Sequence, residues 1–433
     1  MQSPDAFCFG VCNRCSANRN DAALDDSERI FMLSDDMTRI IRRPRLVVRV
    51  MFLLFFILWI NRESASAAPP GLPICKPEDT GLNASRLAAI DNVVEEGLRY
   101  ERMPGCVVLV GYRGRIVWLK SYGSRQVKPD VVPMTADTVF DLASLTKPIA
   151  TATSIMLLIE DGLVALDAPA TKYIPEFGNN GKEVITIRQL LTHQSGLVPD
   201  NSLKDYEDGR EEAFRRIHEL DLRAEPGARF MYSDVGFIVL GEIVERVSGK
   251  TLDDFARERI FKPLGMLETG FNPDPTIRKR AAPTQQRNDE WMRGEVHDPR
   301  AYRLGGVAGH AGLFSTAENL ARYAQMLVNE GKLGNAQILK PETCLLMRSS
   351  QEVSSGIRTL GWDRQTGYSS NRGDLFSAQA FGHGGFTGTA IWIDPAQEMF
   401  VIFLSNRVHP DGKGSVNSLA GRIGTLAAAA IRE

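Results

Sequence analysis

The order of strand-like and helix-like segments restricts the possible folds more than any other feature of this sequence. Strand-like runs lie near both ends of the chain, and mainly helical segments with loops lie between them. This order predicts an α/β (α+β) fold, in which an antiparallel sheet built from both chain ends is flanked by helices and a mainly helical subdomain is inserted at about 162–330. A functional site is expected between the two subdomains. The predicted strands are 105–111, 115–120, 389–394 and 399–404, and the predicted helices are 85–100, 145–161, 187–193, 211–220, 235–247, 252–261, 318–330 and 415–431.

The N-terminal region carries the pattern of a targeting signal. Five arginines between residues 39 and 49 precede the uncharged apolar run 50–60, and Ala65-Ser66-Ala67 supplies a small-residue cleavage site. A basic start, a short apolar stretch and a small-residue exit predict a secretory signal peptide over 37–67, cleaved after Ala67. The alternative is a retained membrane anchor, for which the apolar run is short. The protein is therefore expected to be exported, to the periplasm or the extracellular space, with membrane attachment only through an uncleaved signal.

The signal sets the remaining domain boundaries. Residues 1–36 precede it and are expected to be an untranslated or unstructured extension, with Met37 as the start. The Pro-rich residues 68–84 predict a linker, and 85–430 predict the catalytic domain.

Composition excludes several classes of function. The formal net charge of -2 gives no sign of nucleic-acid binding. Three of the six cysteines precede the signal, and the three that follow it are too sparse to predict a disulfide framework. The six histidines show no paired metal-ligand spacing, so neither a metal nor a cofactor is expected.

One tetrapeptide combines a hydroxyl and an amine at helical spacing. Ser144-Leu-Thr-Lys147 is the only S-x-x-K in the chain, and it lies at a predicted strand-to-helix junction. Residues three apart share a helix face, so the amine can approach the hydroxyl. A serine hydroxyl is a weak nucleophile until a base takes its proton. The other interpretation is a capping serine beside a surface lysine.

Two further segments carry candidate site residues. Tyr232-Ser-Asp234 begins a predicted helix, and its tyrosine could act as a general base if a cation lowered its pKa. Tyr206 begins a similar Tyr-Glu-Asp sequence, in a charged stretch that predicts a solvated loop. His383-Gly384-Gly385 precedes a predicted strand, and its glycines let the backbone approach a substrate closely. His310-Ala-Gly312 is a rival of the same form.

The three motifs occur in an order that resembles the serine β-lactamase and penicillin-binding-protein superfamily. The chain looks most like the class C β-lactamase-related group, which includes D-aminopeptidases, DD-carboxypeptidases and carboxylesterases. The similarity covers roughly 85–430 and implies a β-lactamase/transpeptidase-like fold. It extends to the segments 140–148, 190–197, 260–266 and 309–317.

The resemblance implies a role for each matching residue. Ser144 would be the acylated nucleophile and Lys147 its proton partner. Tyr232 would be the base that also protonates the leaving group. His383 would occupy the position where many relatives have lysine. The oxyanion would be bound by the backbone N–H groups of Ser144 and Phe386.

Substrate binding would fall to Asp234, Gly384 and Gly385. Asp234 departs from the family's more usual asparagine, and a carboxylate cannot donate a hydrogen bond as an amide can. It could instead pair with Lys147 or bind a cationic group. Together with His383 in place of lysine, this disfavours efficient β-lactam hydrolysis.

The sequence thus predicts a serine hydrolase that forms an acyl-enzyme on peptidoglycan-derived or D-amino-acid peptides, or on esters. A class C-like β-lactamase and a penicillin-binding sensor with little turnover are the alternatives. The expected partners are small-molecule or peptide substrates, cell-wall fragments among them.

Overall fold

The computed structural model describes residues 69–431, and the predicted signal peptide and the extension before it lie outside the described residues. The strands are β1 (Gly105–Tyr112), β2 (Arg115–Gln126), β3 (Val132–Pro133), β4 (Phe140–Asp141), β5 (Gly270–Phe271), β6 (Gln286–Arg287), β7 (Glu290–Trp291), β8 (Leu313–Ser315), β9 (Lys332–Leu333), β10 (Ala336–Gln337), β11 (Gln351–Val353), β12 (Gly356–Arg358), β13 (Asp363–Gln365), β14 (Phe381–Gly385), β15 (Thr389–Asp394) and β16 (Met399–Ser405).

Eleven α-helices accompany these strands within the described residues. They are α1 (Ala84–Arg99), α2 (Thr153–Glu160), α3 (Ile187–Leu191), α4 (Arg210–His218), α5 (Asp234–Ser248), α6 (Leu252–Ala256), α7 (Pro275–Arg278), α8 (Pro299–Arg303), α9 (Ala317–Val328), α10 (Pro341–Met347) and α11 (Asn417–Ala429).

A nine-stranded sheet joins the two ends of the chain. Its strand order is β11-β12-β13-β14-β15-β16-β1-β2-β3, and neighbouring strands are antiparallel. At the centre, β1 pairs with β16 in a register that runs from Cys106 opposite Ser405 to Tyr112 opposite Met399. The prediction of one antiparallel sheet built from both chain ends, flanked by helices, is therefore confirmed.

Both faces of the central strands are buried, because each face packs against different helices. All eight residues of β1 and all seven of β16 are buried. On one face, α1 and α11 pack over alternate residues of β1, such as Val108 and Val110. On the other face, Val107 and Leu109 join the larger core, which includes α2, α5 and α9. Burial on both faces explains why these strands are continuous apolar runs rather than alternating ones.

The Pro-rich residues before α1 contact the sheet. Ile74 bridges to Ile116 of β2, and Cys75 N–H donates to the Ile116 carbonyl at 3.0 Å. Leu82 is buried. Among residues 69–431, no helix combines the length and the apolar character needed to cross a bilayer.

The middle of the chain is mainly helical but contains a second, small sheet. Its strand order is β4-β8-β5, so residues just before Ser144 are hydrogen-bonded to the segment that follows His310. This pairing holds the residues before Ser144 against β8, which follows most of the helical segments in the chain.

Candidate active site

Ser144 lies in a strained turn between β4 and the helix that follows. The 3₁₀ turn Ala143–Leu145 leads into a π-helical turn, Lys147–Ala152, and then into α2. Ala143 has a φ of 46°, a left-handed conformation that is unfavourable for a residue with a Cβ. Such strain persists only where the surroundings hold it in place, and it often occurs at functional sites.

The Asp141 carboxylate braces this turn. Its Oδ1 accepts from the Ala143 N–H at 2.8 Å, and its Oδ2 accepts from the His297 N–H at 2.7 Å. Burial raises the pKa of Asp141 to about 6, although the two backbone hydrogen bonds oppose that rise. Asp141 therefore connects the nucleophile turn to the loop before α8, a role that its sequence position did not reveal.

Lys147 is completely buried beside Ser144. Its Nζ donates to Ser144 Oγ at 3.1 Å and to the His310 carbonyl at 3.1 Å. Asp234 Oδ1 lies 2.6 Å from the same nitrogen. Burial alone would lower the pKa of Lys147, but the charges of Asp234 and Tyr232 outweigh it and raise the pKa. The residue is thus an ammonium that donates to the serine oxygen.

Tyr232 sits in a stack of rings directly before α5. Its ring lies 4.3 Å from that of His193 and 5.0 Å from that of Tyr368, and Lys147 Nζ is 4.9 Å from its centroid. Burial raises the pKa of Tyr232, while Lys147 lowers it and Asp234 raises it. Lys147 therefore lowers this pKa, as the sequence suggested that a cation could, but desolvation of the phenolate is the larger effect and the net shift is upward.

The helix cap at this point is Ser233 rather than Asp234. Ser233 Oγ accepts from the Gly236 N–H at 3.1 Å, and α5 begins at Asp234. The Asp234 carboxylate is thereby free to pair with Lys147, and its side chain is 20% exposed. Of the two roles considered for Asp234 in the sequence, the structure places it in the ion pair.

His383 lies on β14, next to the nucleophile turn. A Cβ on Gly385 would be 2.4 Å from the Leu142 carbonyl, so the strand can approach this turn only because Gly385 has no side chain. His383 Nδ1 lies 2.7 Å from the Gly384 carbonyl, which can only accept. Burial, with Arg358 and Lys147, lowers the pKa of His383 well below 6.5. The ring is therefore neutral, and Nε2 is its acceptor.

Two cavities meet at these side chains. The larger cavity, of about 820 Å³, is lined by Ser144, Tyr232, Asp234 and Phe386 together with Asp200, Asp298, Arg300 and His310. The smaller cavity, of about 360 Å³, shares Ser144, Tyr232, Tyr368 and Phe386 and adds His383, Gly384, Gly385 and Arg407. The structure thus brings the predicted site residues together around Ser144.

The backbone amides of Ser144 and Phe386 belong to residues that line both cavities. Within residues 69–431, neither amide is used by the main-chain hydrogen bonds of the turns and loops. An oxyanion formed at Ser144 would require N–H donors at this position.

The rival histidine also belongs to the site. His310 is buried, its Nε2 lies 2.9 Å from Asp298 Oδ1, and its carbonyl accepts from Lys147. Asp234, Asp298 and His310 place one possible ligand atom each within 4.8 Å of one another. The cation beside this group in the structure is the Lys147 ammonium. Sequence reasoning missed Asp298, which carried no motif signal.

Tyr206 does not line either of the cavities beside Ser144. It is buried, and its hydroxyl donates to Asn201 Oδ1 at 2.6 Å, so the prediction of a solvated loop is wrong for this side chain. The loop prediction was based on the charged residues that follow it, of which Glu207, Asp208 and Glu211 are exposed.

This chain is similar to known proteins over most of its length. The Beta-lactamase family model matches residues 90–424. A putative D-alanyl-D-alanine carboxypeptidase of Escherichia coli (strain K12) is 31% identical over 82% of this chain and 90% of its own. An N-acetylmuramyl-L-alanine amidase of Bacillus subtilis (strain 168) is 30% identical over 78% and 84%. The solved structure of a class C β-lactamase, 18% identical, superimposes with a TM-score of 0.66 over 81% of this chain and 97% of its own.

The fold is β-lactamase-like, and the family model and the named relatives make the chain a hydrolase. The chain belongs to the Beta-lactamase family.

Proposed function

We propose that this protein is an exported hydrolase that forms an acyl-enzyme at Ser144 and acts on peptidoglycan-derived or other D-amino-acid peptides. The observation that carries the proposal is the buried Lys147 ammonium, which donates to Ser144 Oγ at 3.1 Å while Asp234 neutralises it at 2.6 Å. A serine oxygen that accepts from a cation leaves its own proton free for another acceptor.

Tyr232 is that acceptor in the proposed mechanism. Its phenolate form is stabilised by the Lys147 ammonium and takes the proton as Ser144 Oγ attacks the substrate carbonyl. The oxyanion that develops accepts from the amides of Ser144 and Phe386. Tyr232 then protonates the leaving nitrogen, and water releases the acyl group. Lys147 keeps its proton throughout and acts as an electrostatic partner.

The names of the relatives support a peptide substrate. Both the Escherichia coli carboxypeptidase and the Bacillus subtilis amidase are named for alanine-containing substrates, at 31% and 30% identity. The same mechanism would also cleave esters, because an alkoxide or phenoxide is a better leaving group than an amine.

Hydrolysis of β-lactams is the second candidate, and two observations disfavour it. His383 is neutral where a cation would attract the β-lactam carboxylate, and Asp234, which is paired with Lys147, has no amide N–H to donate to a β-lactam. Asp234→Asn should therefore shift the ratio of cephalosporin to aryl-ester hydrolysis upward. Because a hydrogen bond to a charged group contributes roughly 1.5–3 kcal/mol, the shift is expected to be about tenfold.

The function is tested by giving the purified protein a peptide ending in D-Ala-D-Ala, an aryl ester and a cephalosporin. Release of D-alanine by the native protein and its loss in Ser144→Ala would support the proposal. A stable covalent adduct with no turnover on any of the three would identify a penicillin-binding sensor instead. Turnover of the cephalosporin alone would identify a β-lactamase.

A further inference from the structure

A buried arginine near the active site makes no side-chain hydrogen bond. Arg358 ends β12 and is 0% exposed, yet within residues 69–431 its Nε, Nη1 and Nη2 have no acceptor. Burying a charge whose donors are unpaired costs free energy. Stability alone therefore does not account for this cation, and its position requires a functional explanation.

One carboxylate lies beside Arg358 but does not bind its N–H groups. Asp363 Oδ1 is 3.5 Å from Arg358 Nη1, which is longer than a good hydrogen bond. The two oxygens of Asp363 accept instead from Thr366 Oγ1 at 2.8 Å and from Ser369 Oγ at 2.6 Å. Asp363 therefore offsets the charge of Arg358 from one side only.

The guanidinium also lies against the rings that surround Tyr232. This ring cluster consists of Phe230, Tyr232, Tyr368, His193 and His383. Arg358 Cζ is 5.4 Å from the centroid of the Phe230 ring, which contacts Tyr368 at 5.9 Å and His193 at 6.0 Å. The last two rings both stack on Tyr232, and the His383 ring lies 6.0 Å from it. Buried rings screen a charge much less than water does, so the charge of Arg358 acts across the cluster.

The two histidines of the cluster respond to this charge. Burial lowers the pKa of His193 and of His383 well below 6.5, and the charge of Arg358 is the next largest cause of both shifts. Burial also lowers the pKa of Arg358 itself, although Asp363 and Tyr232 oppose that change. An arginine still keeps its proton in the working pH range of a protein. The cluster thus contains neutral imidazoles beside a permanent cation.

Lys147 by itself stabilises the Tyr232 phenolate only in part. Asp234 lies 2.6 Å from the Lys147 ammonium and offsets its charge. Burial raises the pKa of Tyr232, and Asp234 adds to that rise while Lys147 opposes it. A second cation near the ring would favour the phenolate further, because it attracts the negative charge.

We propose that Arg358 is a positioning residue of the active site, whose buried charge favours the phenolate form of Tyr232 across the ring cluster. The inference rests on the proposed function, in which Tyr232 takes the proton of Ser144, and deepens it by naming a second source of positive charge. The charged and titratable groups that face Tyr232 are Lys147, Asp234, His193, Tyr368, His383 and Arg358, with Asp363 beside Arg358.

The test measures the pH dependence of kcat/KM for an aryl ester in variants of Arg358. Arg358→Met and Arg358→Gln both remove the charge, and glutamine keeps hydrogen-bond donors. The phenolate is then less stable, so the pH range in which kcat/KM rises should move up by about one pH unit. At neutral pH kcat/KM should fall about tenfold as a result. Arg358→Lys keeps the charge and should keep the native range. Arg348→Met, at a residue directly after α10 that pairs with Glu330, should keep it too.

High pH separates an electrostatic role of Arg358 from a structural one. Above the shifted range Tyr232 is ionised in every variant, so Arg358→Met and Arg358→Gln should approach the native kcat/KM. Damage to the fold would instead keep kcat/KM below the native value at every pH. If Arg358→Lys moves the range as far as Arg358→Met does, the charge is not what Arg358 supplies.

Labelling of Ser144 by a fluorophosphonate separates this inference from the proposed function. Suppose that the native protein is labelled and active, but that the uncharged variants keep the native pH range or lose activity equally at every pH. Arg358 then does not act on Tyr232, and the hydrolase function stands. Absence of labelling and of hydrolysis in the native protein would overturn the proposed function, and the inference with it.

Discussion

Oδ1 of Asp234 lies 2.6 Å from Nζ of Lys147, and the same ammonium donates to Ser144 Oγ. The lysine is fully buried, whereas the aspartate side chain is 20% exposed. The ion pair therefore keeps a proton on Lys147 that burial would otherwise remove. In the proposed mechanism this relationship leaves Tyr232 as the general base, and Asp234 is the residue that keeps Lys147 charged.

Replacing Asp234 by asparagine should move the pH dependence of acylation toward lower pH. Asp234 raises the pKa of both Lys147 and Tyr232, so its removal lowers both. The pH dependence of kcat/KM reports the pKa values of groups in the free enzyme. The pH range in which kcat/KM rises with pH should therefore lie lower for Asp234→Asn than for the native protein. Aryl-ester kinetics at constant ionic strength measure the shift. If this pH range is unchanged, or moves to higher pH, Asp234 does not control the pKa of the base.

The ion pair also makes a prediction about stability. Lys147→Met leaves the Asp234 carboxylate without its partner, and the unfolding free energy should fall by about 1–3 kcal/mol, less than for a fully buried pair because Asp234 is partly exposed. The double variant Lys147→Met/Asp234→Asn should be more stable than Lys147→Met alone. Urea unfolding measures all four proteins of the cycle. Additive losses in the double variant would show that the two residues do not interact.

Tyr232→Phe should lower kcat/KM for the ester by about 100-fold or more, the usual contribution of a positioned general base. The ring stack with His193 and Tyr368 is kept, so the variant should fold as the native protein does. Tyr206→Phe is the control, since Tyr206 is a hydrogen-bonded tyrosine that does not line either cavity. Equal losses in the two variants would indicate a structural effect only.

Asp141 should produce a break in the pH profile near its pKa of about 6. Above that pH its carboxylate accepts from the amides of Ala143 and His297, and protonation as the pH falls removes acceptor capacity and loosens the Ser144 turn. Asp141→Asn should therefore lose the break and be less active at neutral pH. His383 is already neutral and titrates well below 6.5. If the break persists in Asp141→Asn, another group causes it.

The sequence predicted β1, β15, β16 and the first half of β2, because each contains an apolar run whose signal is local. It did not predict β11 to β14. β11, β12 and β13 have three residues each, and β14 has three glycines among its five residues, so none of them has a clear apolar pattern. The helix predicted at 145–161 is present, but Pro148 has no N–H to give Ser144 an α-helical hydrogen bond, and the first turns are wider.

The sequence predicted the site residues that belong to short motifs, and it did not predict the residues that the fold brings to the site from elsewhere in the chain. Ser144, Lys147, Tyr232 and His383 were found by spacing and resemblance. Asp298 and Arg407 carry no motif, and their positions depend on the β4-β8 pairing and on the turn after β16. The direction of the Tyr232 pKa required knowledge of its burial, which no short sequence pattern contains.

The most direct test of the account is the intact mass of the protein after incubation with a fluorophosphonate. The native protein should gain the mass of one adduct, and peptide mapping should place it on Ser144. Ser144→Ala should show no adduct, while Ser154→Ala, a change at a buried serine of α2, should react as the native protein does. An adduct that persists in Ser144→Ala, or that maps to another residue, would contradict the central claim.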